Sequence, residues 1–150
     1  MPKHRIFVSI DIPEELKKNE NWHITVVFCG YLDNEKLEKL KEATERISQD
    51  TKGFELTPDK IMLKDKRMVW LTFKYSLDFV KLHKRFSEFS QHSFNPRPHV
   101  TLARLKNSGY PDFNKLLPAK PFIVKSINIM ESHLSSKGPK YELICRNYLK

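Results

Sequence analysis

The chain has 150 residues, with 27 Lys and Arg against 18 Asp and Glu and a formal net charge of +9. That length fits one domain with its own core and hardly two. No run of 18 apolar residues is present to cross a membrane, and the first residues lack the apolar run of a secretory signal, so a cytoplasmic protein is expected. Cys29 and Cys145 stand far apart with no C-x-x-C partner, which argues against a disulfide framework or a cysteine-based zinc site. Both are expected to be small buried hydrophobes. The positive surplus attracts phosphate polyanions, nucleic acid above all, or merely keeps the surface soluble.

In chain order, the first strand is predicted over Arg5 to Asp11, where Ile6, Val8 and Ile10 alternate with Phe7 and Ser9. Pro13 stops it and opens a short helix through Lys18. Trp22 to Cys29 reads as a second strand. A helix follows, with Asp33 as N-cap, Leu32 and Leu37 as a hydrophobic staple, and Leu37, Leu40, Thr44 and Ile47 as its buried stripe. Strands are predicted near Phe54–Leu63 and Met68–Phe73, separated by the basic turn Lys64-Asp65-Lys66-Arg67. A second helix starts at the Ser76 cap and buries Phe79, Leu82, Phe86 and Phe89. A strand over Pro98 to Arg104, a short helix near Asp112–Leu117, and strands Phe122–Met130 and Tyr141–Leu149 complete the chain. Helices among strands joined by tight turns predict an α+β fold with mostly antiparallel sheet.

A strand bearing His-x-Thr occurs twice, as His23-Ile24-Thr25-Val26 and His99-Val100-Thr101-Leu102. Two such pairs arise by chance about 2% of the time at this composition, so the repeat carries information that one copy would not. Side chains alternate along a strand, so His and Thr two apart share a face, while Ile24, Val26, Val100 and Leu102 pack behind. Placed side by side, the two strands would make a polar floor of two imidazoles and two hydroxyls. That set suits phosphodiester hydrolysis without a metal. A neutral imidazole takes a proton from water, and an imidazolium gives one to the leaving oxygen. The hydroxyls donate to non-bridging phosphate oxygens. The bland alternative is a pair of histidines satisfied within the fold.

The paired motifs resemble those of the 2H phosphoesterase superfamily, in its branch of RNA 2′,3′-cyclic phosphodiesterases, also called 2′-5′ RNA ligases. Arg5-Ile6-Phe7-Val8-Ser9-Ile10-Asp11-Ile12-Pro13 resembles the family's opening strand, and His23 to Gly30 its first motif. Arg97-Pro98-His99-Val100-Thr101-Leu102-Ala103-Arg104 is similar to its second motif, and Ser132 with Gly138-Pro139-Lys140-Tyr141 to its closing hairpin. The resemblance implies a bilobed α+β fold, with flanking helices around a central cleft and residues 1–150 forming one domain of two pseudo-symmetric lobes. It implies hydrolysis of an RNA 2′,3′-cyclic phosphate to a 2′-phosphate, with 2′-5′ ligation as the reverse-type reaction. It assigns His23 as the acid and His99 as the base. The nine residues between Pro13 and His23 are fewer than the family's usual helix and leading segment.

Arg104 is a further candidate for the phosphate, but strict alternation turns it away from His99 unless the strand ends or bulges first. Arg97 shares the parity of His99 and is otherwise a solvated loop charge. Tyr141 either lines the cleft, stacking on a base, or packs within its hairpin. His83 reads as a packing or surface residue. His4, His92 and His133 have no companion ligands at metal spacing, so no metal and no cofactor are expected. The expected partner is an RNA or nucleotide ending in a 2′,3′-cyclic phosphate, with no membrane and no obligate protein partner. Two alternatives stay open: a related 2H enzyme acting on 2′-5′-linked or cyclic oligonucleotides, and a non-catalytic RNA-binding module.

Overall fold

A computed structural model describes residues 3–14, 17, 20–91, 96–104 and 120–150. Its described strands are β1 (Lys3–Ile10), β2 (Ile24–Asp33), β3 (Phe54–Leu56), β4 (Pro58–Lys64), β5 (Met68–Phe73), β6 (His99–Arg104), β7 (Phe122–Val124), β8 (Ser126–His133) and β9 (Lys140–Tyr148). The helices are α1 (Asn34–Asp50) and α2 (Leu77–Arg85), with a short 3₁₀ turn at Ser87–Phe89. The short helix expected near Asp112–Leu117 and most of the one expected after Pro13 lie outside the described residues. No described helix is long and apolar enough to cross a membrane.

Seven strands form one antiparallel sheet in the order β4-β5-β6-β2-β1-β8-β9, and β3 and β7 form a separate pair. The sheet has two parts. In one, β1 pairs with both β2 and β8, and β8 with β9; in the other, β5 pairs with both β4 and β6. The parts meet where β2 pairs with β6 through Ile24 and Val100 alone. This narrow seam brings the two His-x-Thr segments side by side, as the expected cleft requires.

Both helix caps form as the sequence predicts. The Asp33 carboxylate accepts from Lys36 N at 2.8 Å, and the Ser76 hydroxyl from Phe79 N at 3.1 Å. α1 packs on β9, β2 and β8, while α2 packs on β2. Both predicted stripes are buried, with Leu40, Thr44, Phe79 and Phe86 fully enclosed. Burying a Leu or Phe contributes roughly 1.5–3 kcal/mol, so each stripe outweighs the modest intrinsic preference of its sequence for helix.

Two predicted strands are each divided. The stretch expected over Phe54–Leu63 breaks at Thr57, and Phe122–Met130 breaks at Lys125; in both cases the first piece leaves for the β3–β7 pair. Pro58 supplies one reason, since it lacks an N–H and constrains the residue before it. At these two breaks the Thr57 and Lys125 carbonyls accept from Lys74 N and Leu149 N, each at 2.8 Å. Cys29 is buried as expected, with burial pushing its thiol up to about 12, but Cys145 is only half-buried. Its strand β9 is an edge strand, covered on one side only.

Candidate active site

His23 stands one residue before β2 rather than inside it. The ladder with β6 begins only at Ile24, and buried Trp22 donates its indole N–H to the Leu102 carbonyl at 3.2 Å, tying the strand entrance to β6. The pairing of Ile24 with Val100 is antiparallel. Continuing that register sets Thr25 across from His99 and His23 across from Thr101. The four residues expected on one floor therefore lie on one face at the seam.

The two imidazoles are held in the same way. His23 Nδ1 lies 2.7 Å from the Asn21 carbonyl oxygen, and His99 Nδ1 lies 2.8 Å from the Arg97 carbonyl oxygen. A carbonyl only accepts, so each Nδ1 carries the proton and each neutral ring keeps its lone pair on Nε2. In each segment the anchoring carbonyl is two residues before the histidine. His23 Nε2 is 3.0 Å from the Thr25 hydroxyl, which donates to it when the ring is neutral. Arg97 thus contributes its backbone carbonyl, and its side chain is exposed.

Burial lowers the pKa of both histidines. For His23 the Asn21 bond opposes the shift and the charge of His99 adds to it. For His99 the Arg97 bond opposes it and Lys64 adds to it. The surroundings differ. His23 meets the rings of Phe7 at 4.9 Å and Tyr141 at 5.2 Å, the latter edge-on. His99 stacks on Trp70 at 3.8 Å with 17° between planes, and Lys64 Nζ lies 5.5 Å from the centre of the Trp70 ring. Tyr141 therefore joins the site by way of its hairpin, since Ser132 and Tyr141 are register partners.

Arg104 joins it through a bulge. β5 pairs Val69 with Ala103 but Trp70 with Thr101, which leaves Leu102 as an extra residue in β6. Beyond the bulge Arg104 pairs with Met68, which shares a face with Trp70 and hence with Thr101 and His99. The alternation that would have turned Arg104 away is reset by one residue. Arg104, Met68, Arg67 and Asp65 line an open depression at this end of the floor. Sequence reasoning missed Phe7 and Trp70. Trp70 carries one visible sign, since Met68, Trp70 and Thr72 alternate with the core residues Val69, Leu71 and Phe73. Its neighbour β6, however, is distant in sequence.

His83 has a structural part, its Nδ1 donating to the Val26 carbonyl at 2.6 Å and tying α2 to β2. His92 lies outside the described residues. The premise that His133 lacks companion ligands is corrected. Glu131 lies two residues away on the same strand, and strand pairing adds Glu142 of β9, away from the cleft.

A family model described as the 2′-5′ RNA ligase superfamily matches residues 15–135, most of the chain. The protein belongs to the 2′-5′ RNA ligase superfamily. Among its relatives, a Thermotoga maritima protein named RNA 2′,3′-cyclic phosphodiesterase is 28% identical, with 93% of this chain and 92% of that protein covered. A Methanocaldococcus jannaschii protein of the same name is also 28% identical, covering 93% of this chain and 98% of its own. The first alignment runs over 178 positions, more than the 150 residues here, so that relative has residues with no counterpart in this superfamily member. The fold is that of Escherichia coli LigT in apo form, with a TM-score of 0.78 at 24% identity over 100% of this chain and 99% of that one. It is equally that of TT0787 of Thermus thermophilus, with a TM-score of 0.80 at 17% identity and 97% of each chain covered.

Proposed function

We propose that this protein hydrolyses RNA-type 2′,3′-cyclic phosphates to 2′-phosphates, with His23 as general acid and His99 as general base. The observation that carries the reading is the matched tethering of the two imidazoles. Each has its Nδ1–H committed to a carbonyl, so each has a single nitrogen, Nε2, left for proton transfer. The two relatives named RNA 2′,3′-cyclic phosphodiesterase support the substrate class.

In this mechanism neutral His99 accepts a proton from water through Nε2 as the water oxygen bonds to phosphorus. The bond from phosphorus to the 3′ oxygen breaks on the far side, and His23 Nε2–H protonates that oxygen. The product is a 2′-phosphate beside a free 3′-hydroxyl. The Thr25 and Thr101 hydroxyls donate to the non-bridging oxygens, where charge builds in the transition state. Arg104 offers a guanidinium on the same face, and Tyr141 presents a ring for the nucleobase. An RNA 5′-hydroxyl replacing water in the same attack gives a 2′-5′ linkage, the reaction named by the superfamily.

The two lobes act as one domain, each supplying an equivalent half of the floor. No cofactor enters the cycle. Two free thiols fit a reducing cytoplasm. The test is turnover of a 2′,3′-cyclic nucleotide in excess EDTA. Undiminished hydrolysis is expected. Loss of activity that a divalent ion restores contradicts the proposal.

A further inference from the structure

Three strands bring two histidines and two glutamates together on the face of the sheet opposite the histidine cleft. Phe7 of β1 faces His23, so its neighbour Ile6 faces the other way, and Ile6 is the register partner of Glu131. Glu131 and His133 are two apart on β8 and share that face. Glu142 of β9 is the direct partner of Glu131. Continuing the β1–β8 register carries His4 to the position across from His133.

The atoms converge. His133 Nε2 lies 3.0 Å from Glu142 Oε2 and 3.8 Å from Glu131 Oε1. The three ligand atoms all fall within 4.8 Å of one another. The second oxygen of Glu131 is 2.8 Å from His4 Nδ1, and His4 Nε2 is 2.9 Å from the Asn34 side-chain oxygen at the start of α1.

Two features of this cluster fit a cation. Glu131 and Glu142 are directly opposed like charges, an arrangement that destabilises a strand pair unless a positive charge lies between them, and His133 and His4 supply one only in their protonated forms. Glu131 is also only 16% exposed, so water screens it poorly. The second feature is spacing. Zinc bonds of roughly 2.0–2.1 Å to nitrogen and oxygen imply a tetrahedral edge of about 3.3 Å, which the two separations from His133 Nε2 bracket, while the two carboxylate oxygens lie within 4.8 Å of each other. One imidazole with two carboxylates suits a divalent transition-metal ion better than magnesium, which favours an octahedral shell of oxygens.

We propose that Glu131, His133 and Glu142 form a structural site for a zinc-like divalent ion, with His4 as the positioning residue that orients the Glu131 carboxylate. The ion pins β8 and β9 together and, through His4, holds the start of β1. Water completes the coordination. The site is separate from the hydrolytic cleft and does not depend on that reading.

The experiment uses the untagged full-length protein, freed of metal by chelator. Zn²⁺ and Mg²⁺ are titrated calorimetrically, thermal unfolding is followed with and without Zn²⁺, and Co²⁺ reports geometry by its absorption. One equivalent of Zn²⁺ is expected to bind and raise Tm, with Mg²⁺ far weaker. His133→Ala and Glu131→Gln are expected to weaken Zn²⁺ binding on the order of 100-fold, and His4→Ala about 10-fold, the scale for losing an outer hydrogen bond to a ligand. Circular dichroism checks each variant. Exposed Glu142→Gln serves as the second ligand variant if Glu131→Gln fails to fold, and it is expected to weaken binding likewise. The proposal is overturned by absence of saturable Zn²⁺ binding. It is equally overturned by binding that survives His133→Ala and Glu142→Gln but is lost in His99→Ala, which places the ion in the cleft.

Discussion

An imidazole with one nitrogen tied to a carbonyl can exchange protons only through the other. Both His23 and His99 are in that state, and burial lowers both pKa values from the ordinary 6.5. At neutral pH the free protein therefore holds mostly two bases and little acid. On the proposed mechanism kcat/KM needs one ring charged and one neutral, so its optimum is expected below pH 6.5, with a fall as pH rises. A bound phosphate anion favours the imidazolium, so the optimum in kcat is expected at higher pH than that in kcat/KM. Steady-state profiles of both constants check this, and a kcat/KM optimum on the alkaline side of neutrality would contradict it. Lys64 bears on His99 alone. Lys64→Ala is expected to raise the His99 pKa, as read from imidazole proton shifts by NMR. Thr25→Ala and Thr101→Ala are expected to cost less than loss of either imidazole, because water replaces part of a lost hydroxyl donor.

At the scale of the element, the hairpin of β4 and β5 turns on Asp65 and Lys66, both with positive φ, at 54° and 60°. Two left-handed central residues are what a type I′ turn requires; here Arg67 N–H closes it on the Lys64 carbonyl at 3.1 Å, and a lysine in that position is strained. Lys66→Gly is expected to raise stability by about 0.5–1 kcal/mol, measured by urea unfolding. The same hairpin lifts Lys64 and Arg67 beside the floor. Replacing Lys66 or Arg67 by Ala is expected to weaken RNA binding and reduce its salt slope by about 0.7 for each phosphate no longer neutralised. Unchanged binding in both would remove the hairpin from the RNA surface.

Much of this was legible from sequence, for a local reason. Asp33 and Ser76 act on backbone three residues away, and each His-x-Thr pair needs only the period of a strand. What escaped depends on which strands pair. The bulge at Leu102 that turns Arg104 into the site exists only against β5, and Trp70 reaches His99 only because β5 lies beside β6. The companions of His133 come from β9 and its own strand, seen together only once the register is known.

For the whole molecule, the floor lies on a seam held by one register pair, Ile24 with Val100, between two wider stretches of sheet. Two half-buried histidines at that seam also link folding to pH. Their folded pKa values lie below the unfolded 6.5, so the unfolded chain binds more protons. Their contribution to stability is full above pH 6.5 and is lost as pH falls toward the lowered values. The His23→Ala/His99→Ala double variant is expected to lose less stability than the parent over that window, by denaturant unfolding at several pH values. The central claim, that these two rings are the acid and base of one reaction, is tested most directly by single-turnover hydrolysis of a 2′,3′-cyclic phosphate. Products are identified by phosphorus NMR. His23→Ala and His99→Ala should each slow the step by about 10²-fold or more, with the double variant little worse and the phosphate retained on the 2′ oxygen. A folded His99→Ala protein that hydrolyses the substrate at the parent rate would contradict the account.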